Sequence, residues 1–226
     1  MIKYLFILLL PITVFAADNI PAQLDSLDNY ASLFWNTTGS STDQMSQARR
    51  YFSINAGIQA VCDVAPAIEK IDTLLIATSN ALNSDFNRLA SVFRMTNDTL
   101  VPLQIINTND VDTLLMKTSK DEFAHDKTNK ASPNICYAHN GRLHTLPKYI
   151  SSKVGDTLLV NYYANDVKLA SGTDSTKVLP KYRMAIIYYA IGVRYQMIGL
   201  DELAVTYFNL FGQSLMKQSD VKGIIE

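Results

Sequence analysis

The sequence is poor in the residues that most often mark a redox, metal or disulfide-stabilised protein. Its 226 residues include two cysteines, three histidines and one tryptophan. Cys62 and Cys136 lack the short spacing of a zinc or dithiol motif, so no redox or zinc site is expected. Whether the two cysteines form a disulfide is left undecided by the sequence, because spacing does not show whether the two sulfurs meet. The net charge is -1, so nothing global attracts nucleic acid or acidic lipid.

The sequence also lacks the motifs of the common enzyme classes. It has no Gly-rich phosphate loop and no G-x-S-x-G turn. Cys136, His139 and His144 lie close together, but a hairpin here would turn Cys136 to the opposite face from both histidines. The positive charge of Arg142 beside them also disfavours a bound cation. We therefore expect no enzyme, no metal and no cofactor.

The chain has one conspicuous apolar run, at its N-terminus. Lys3 precedes apolar residues 4–14, and small residues follow at Ala16 and Ala17. A basic start, a short apolar stretch and a small-residue cleavage site are typical of a secretory signal peptide. The run is too short for a comfortable membrane span. We predict a leader over residues 1–17, the alternative being an N-terminal helix or tail that docks on a neighbour.

The C-terminal residues 179–217 predict an αα-hairpin. Two apolar stripes recur every three or four residues, which places each stripe on one helix face. Gly199 can end the first helix, Asp201 can cap the second, and Pro180 suits a helix start. The stripes consist of Met184, Ile187, Tyr188, Ile191, Tyr195 and Ile198, then Leu203, Tyr207, Phe208, Phe211 and Leu215.

Two helices are predicted before the β-rich part of the chain. The first spans residues 21–34, and the second starts at a cap in residues 41–43 and runs to about residue 64. Asn55 and Gly57 are unusual inside a helix, so we expect Asn55 to bond backbone and Gly57 to admit another helix. The expected apolar faces are Leu24, Leu27, Ala31 and Phe34 in the first, and Met45, Ala48, Phe52, Ala56 and Cys62 in the second.

A β-rich insertion is predicted between the two helical parts. Its strands are expected at residues 71–77, 91–95, 99–106, 135–139, 142–145 and 156–163. Pro102 places its strand at an edge or bulge, while Phe86 and Leu89 suggest a short helical turn. We expect a short helix at 110–117, and exposed loops at 119–132 and 170–177.

The strongest hairpin signal is Asn140-Gly141, because both residues tolerate the positive φ of a type I′ turn. This turn pairs His139 with Arg142 and Tyr137 with His144, so these four side chains share one face. The fold class is α+β: a helical bundle, formed by the N-terminal helices and the C-terminal pair, with an inserted antiparallel β-rich region. The expected single domain covers 18–226, helical over 18–70 and 179–218 and β-rich over 71–178.

The order of these pieces resembles the head-to-tail connector adaptors, a family of tailed-bacteriophage virion proteins. Residues 54–58 (INAGI) are similar to the family's I-N-x-G-I stretch, and Asp85-Phe86 to its L-P-x-D-F segment, although Asn83-Ser84 replaces the usual Leu-Pro. The hairpin is similar to a P-x-x-Y…G…L-x-P pattern. Residues 159–164 (LVNYYA) with Leu169, and the closing helix pair, also match in order.

The resemblance implies a structural virion protein, a homo-oligomeric ring between portal and tail or nozzle proteins, with DNA passing through its lumen without sequence-specific binding. The expected interface residues are Tyr137, His139, Arg142, His144, Tyr182, Arg183 and Arg194. A different class of function stays open, supported by the leader: an exported bacterial envelope or binding protein, periplasmic or secreted. An enzyme is the least favoured interpretation.

Overall fold

The computed structural model describes residues 20–37, 45–75, 80–96, 99–110, 135–146 and 157–220. The chain forms two compact units, one of Met1–Ile68 with Asn165–Glu226 and the other of Glu69–Ala164. The first unit is helical and the second is built on a sheet, so the fold is α+β, as predicted. The predicted leader 1–17, the caps at 41–43, the loop 119–132 and most of the helix 110–117 lie outside the described residues.

The helical unit is arranged around one central helix. Its helices are α1 (Leu24–Thr37), α2 (Gln47–Val64), α3 (Arg183–Met197) and α4 (Asp201–Asp220), with a 3-10 turn at Pro180–Tyr182. Helix α3 packs against α1, α2 and α4, which explains why it is buried over most of its circumference. Gly199, at φ 76°, separates α3 from α4 as predicted. No helix among the described residues combines the length and apolar character that a membrane-spanning segment needs.

The buried faces of α1 and α2 match the predicted stripes in part. Leu24, Leu27 and Ala31 are buried as expected, with Trp35 rather than Phe34 completing the α1 face. Phe52 was expected in the core of α2, but its side chain is 55 % exposed, so this prediction is wrong. The buried α2 face instead consists of Ser53, Ile54, Gly57, Ile58, Val61 and Cys62.

Gly57 sets which face of α2 meets α3. A Cβ at this position would lie 2.6 Å from the carbonyl oxygen of Ile186, so only glycine allows this approach. Asn55 also has its expected role, because Nδ2 donates to the Leu169 carbonyl at 2.9 Å and the Leu169 amide donates back to Oδ1 at 2.8 Å. These bonds hold residues 165–178 against the helices. The β-rich unit therefore ends at Ala164, short of the predicted 178.

The inserted unit is a six-stranded sheet with the order β1-β6-β2-β3-β4-β5. The pairs are antiparallel except β3–β4, which is parallel at two positions, so the sheet is mixed. Strands β1 and β6 are neighbours, with Glu69 opposite Tyr163. Ala81 bridges Arg142, so the chain just after β1 reaches the outer edge of β5 and the sheet curls. The strands are β1 Glu69–Leu75, β2 Phe86–Thr96, β3 Thr99–Ile105, β4 Ile135–His139, β5 Arg142–Leu146 and β6 Thr157–Ala164.

Strand β2 corrects one prediction. Phe86 and Leu89 lie in the strand and not in a helical turn. Phe86, Leu89 and Val92 pair with Ala164, Tyr162 and Val160, alternate residues of β6, because register shifts separate Phe86 from Arg88 and Leu89 from Ser91. These irregularities give the buried side of β2 a spacing of three, which imitates a helical period.

Pro102 has no backbone N–H to donate, and it lies in a part of β3 where the sheet does not need this donor on both sides. It pairs with Phe93 of β2 on one side. The other neighbour, β4, pairs with β3 only at Gln104 and Ile105. Pro102 therefore occupies a stretch of β3 that is paired on one side, as the prediction of an edge position requires.

Candidate interface surfaces

The β4–β5 hairpin has the predicted turn and register. Asn140 and Gly141 have φ of 49° and 68°, the positive values that a type I′ turn needs. Tyr137 pairs with His144 and His139 with Arg142, so the four side chains share one face of the hairpin. This hairpin face, defined by Tyr137, His139, Arg142 and His144, is the first candidate surface.

The rings of the hairpin face are ordered against each other. The Tyr137 and His144 rings stack with centroids 5.0 Å apart and planes at 13°. His139 lies 6.3 Å from His144, and both His139 and Arg142 are exposed. No acidic residue occurs in 135–146. The face therefore presents stacked aromatic area beside the exposed guanidinium of Arg142, a composition typical of protein interfaces.

The opposite face of the hairpin is buried from solvent. Cys136 pairs with Thr145 and is fully buried. Burial raises the pKa of the Cys136 thiol to about 12, which disfavours the reactive thiolate. The other cysteine, Cys62, is also buried, is not disulfide-bonded and belongs to the helical unit. Among the described residues, no group of three or more His, Cys, Asp or Glu side chains is placed to hold a metal ion.

Three further residues were predicted as interface contacts, and two of them are corrected. Tyr182 is 4 % exposed and Arg194 is 1 % exposed, so neither side chain forms a contact surface of the folded helical unit. Arg183 is half-buried and donates through Nη1 to the carbonyl of Ile20. Its role at an interface stays a prediction.

Arg194 instead forms the centre of a buried polar network. Its guanidinium donates to Ser53 Oγ at 2.9 Å, to Ser32 Oγ at 3.2 Å and to Asp28 Oδ1 at 2.5 Å. Arg50 donates to the second oxygen of Asp28 at 3.0 Å. Burial lowers the pKa of Arg194, while the Asp28 charge opposes that shift. The network joins α1, α2 and α3, and its role is to hold the helical unit together.

Sequence reasoning missed this network, although a signal was present. Arg194 falls on the same apolar stripe of α3 as Ile187 and Ile191, where a charge requires a buried partner. Asp28 lies likewise between Leu27 and Ala31 on the buried side of α1. Two charges of opposite sign, each on an apolar face, would have predicted a pair.

A second polar cluster holds the start of β2 to the sheet. Lys70 forms an ion pair with Asp85, and the Tyr162 hydroxyl donates to Asp85 at 3.2 Å. Asn83 donates to the Tyr162 oxygen at 3.1 Å and to Asp72 at 2.9 Å. The hydrogen bond from Lys70 lowers the pKa of Asp85. Each member bonds to another, so we assign the cluster to structure rather than to chemistry.

No protein-family model and no curated protein matches the chain. The functional argument therefore depends on the surfaces and clusters described above. Of these, the hairpin face presents exposed groups to solvent, whereas the two polar clusters bond their own elements together.

Proposed function

We propose that the chain is a structural head-to-tail connector of a tailed-bacteriophage virion. Its copies form a ring between the portal and the tail or nozzle proteins, around the channel that DNA crosses. The helical unit holds neighbouring copies of the ring, and the hairpin face meets the next component. The protein acts through assembly, without catalysis, cofactor or metal.

The hairpin face is the observation that carries this proposal. Tyr and Arg are the residue types that most often dominate binding energy at protein interfaces. Stacking of Tyr137 on His144 fixes the orientation of both rings before any partner binds. A pre-ordered surface loses less side-chain entropy on association, which favours permanent assembly.

The residues behind the connector resemblance support it physically. Asn55 and Gly57 fix how α2 meets the residue 165–178 segment and α3. Asp85 bonds to Lys70 and Tyr162, and Gly141 has the positive φ of the hairpin turn. The resemblance therefore involves residues that determine packing and chain direction. Such residues favour a shared fold over a chance match of composition.

Oligomeric state tests the proposal directly. The purified full chain should form closed rings in negative-stain images and one discrete oligomer in mass photometry. Arg142→Glu should leave the rings intact but abolish joining of the tail in assembled virions. Thr73→Glu, another exposed strand position of the same unit, is the matched control and should leave tail joining unchanged. A chain that stays monomeric at every concentration contradicts the connector function.

The exported binding or envelope protein is the second candidate, favoured by the apolar run that ends at Ala16-Ala17. Fractionation separates the two functions. A monomer that begins near Ala17 in the periplasm supports export, whereas an intact Met1 in virion fractions supports the connector.

A further inference from the structure

The backbone that carries Arg142 is held on both sides. Within the hairpin Arg142 lies opposite His139 of β4, and on its outer side it forms a bridge with Ala81. Two backbone hydrogen bonds of 2.9 Å flank this bridge, from the Leu82 amide to the Gly141 carbonyl and from the Leu143 amide to the Asn80 carbonyl. These bonds occupy the outer edge of β5 at this point. A partner therefore meets side chains here and does not extend the sheet by adding a strand.

The segment that bridges Arg142 is itself anchored to the sheet. Asn83 follows this segment directly, and its side-chain amide donates to the Tyr162 oxygen of β6 at 3.1 Å and to Asp72 of β1 at 2.9 Å. Hydrogen bonds therefore connect the hairpin, through residues 80–83, to the two strands at the other end of the sheet order. The position of the Arg142 backbone is fixed before any partner binds, which reduces the entropy lost on association.

The exposed charged group of the hairpin face is the Arg142 guanidinium. Arg142 takes part in none of the ion pairs within the described part of the chain. The hairpin itself, 135–146, contains no aspartate or glutamate, and neither do the bordering stretches 80–84 and 99–106. A guanidinium in such surroundings is complementary to a carboxylate that a partner supplies, because the two groups form parallel hydrogen bonds.

The stacked rings lie on the same face as this charge. Tyr137 and His144 are both half-buried, so part of each ring stays accessible. His139 lies opposite Arg142, and its ring is 6.3 Å from that of His144, so it connects the stack to the charged position. Aromatic rings attract further flat side chains in offset or edge-to-face contact. An aromatic side chain beside a carboxylate therefore fits both parts of the face.

We propose that the hairpin face binds an acidic protein surface on which a carboxylate lies next to an aromatic side chain. The carboxylate accepts hydrogen bonds from Arg142, and the aromatic ring packs on the stack of Tyr137 and His144. This inference deepens the proposed connector function and rests on it for the identity of the partner, the next component of the virion. A nucleic acid fits less well, because several cations hold a phosphate backbone and this face has one permanent cation.

Synthetic polypeptides of known composition test this chemistry on the full chain. The chain is immobilised at high density on a biosensor surface, where many copies meet one polymer and weak contacts add up. A random copolymer of glutamate and tyrosine should bind about two- to tenfold more tightly than polyglutamate, because its rings add aromatic contacts. A copolymer of lysine and tyrosine should not bind.

Matched variants assign this binding to the hairpin face. Arg142→Gln should weaken binding of the glutamate–tyrosine copolymer about tenfold or more. Arg49→Gln removes an exposed arginine of the helical unit and should leave binding unchanged. Arg142→Lys keeps the charge but not the two parallel hydrogen bonds, so its loss should be intermediate. Tyr137→Leu should abolish the preference for the copolymer over polyglutamate. Circular dichroism checks that each variant is folded.

Several results would overturn the proposal. They are no binding of the glutamate–tyrosine copolymer, equal losses in Arg142→Gln and Arg49→Gln, polyglutamate bound as tightly as the copolymer, or an oligothymidylate bound as tightly as the copolymer. Ring formation is scored separately by imaging. Rings that lack this binding contradict the present inference alone, whereas a monomer that retains it contradicts the connector function alone.

Discussion

Replacement of Asp28 by asparagine tests how the helical unit is held together. The Asp28 carboxylate bonds to Arg194 at 2.5 Å and to Arg50 at 3.0 Å. The side chains of Asp28 and Arg194 are 6 % and 1 % exposed, so water cannot replace the lost charge partner. Removal of one member of a buried ion pair costs about 3–5 kcal/mol. We expect Asp28→Asn to lower the free energy of unfolding by this amount.

Two further variants separate the cost of leaving a buried charge unpaired from the cost of any substitution in this network. Arg50→Met leaves the Arg194–Asp28 pair in place and removes hydrogen bonds of a more exposed side chain, so it should cost about 1–2 kcal/mol. Asp28→Leu combined with Arg194→Met removes both charges of the pair. Since apolar replacement of a whole buried pair is often neutral, this double variant should be more stable than Asp28→Asn.

Urea unfolding followed by tryptophan fluorescence measures these effects. Trp35 is the single tryptophan of the sequence, and it is buried in the helical unit with its ring 4.5 Å from that of Tyr195. With a denaturant slope of about 2–3 kcal/mol per molar, the midpoint for Asp28→Asn should fall by about 1–2 M. An unchanged midpoint, or a double variant as unstable as Asp28→Asn, would refute the reasoning.

Two other predictions concern close packing and acid stability. Gly57→Ala should destabilise by about 1–3 kcal/mol despite its helix propensity, because the new Cβ meets the Ile186 carbonyl. Gly212→Ala, where a Cβ meets nothing within 4 Å, should be neutral or stabilising in the same thermal melts. The hydrogen bond from Lys70 lowers the pKa of Asp85 in the folded protein. The stabilisation that this bond gives to the folded protein is therefore present above the unfolded-state pKa of about 3.9, and it is lost as pH falls through the lower folded-state pKa. The melting temperature of the wild type should therefore fall more steeply between pH 5 and pH 2 than that of Asp85→Asn. Parallel pH dependences of the two melting temperatures would contradict this assignment.

Local sequence patterns correctly predicted those helices, strands and turns in which the spacing of apolar residues is regular or the turn residues are distinctive. In β6, Leu158, Val160 and Tyr162 alternate and are buried, since one side of the strand faces the interior. Asn140-Gly141 fixed the hairpin register because few residues tolerate that turn. Asn55 and Gly57 were recognised from their poor helix propensity, which only a tertiary contact offsets.

The errors arise where distant contacts decide. The irregular pairing of β2 gave Phe86 and Leu89 a helical spacing, and no local feature reveals the β6 partner that imposes it. Arg194 was placed on the surface because its partner, Asp28, lies 166 positions earlier in the chain. Phe52 is predicted inside because the helical spacing of apolar residues includes it in one face, whereas Gly57 on another side of α2 decides the contact with α3.

The pairing of Glu69 with Tyr163 has a consequence for how this architecture can change over generations. Because the inserted sheet starts and finishes on adjacent strands, its two junctions with the helices are only one strand spacing apart. A short linker can bridge such a gap, so the sheet can be shortened, enlarged or exchanged without rethreading the helices. A sheet of another size could therefore occupy the same two junctions while the helices keep the packing that Gly57 and Asn55 set.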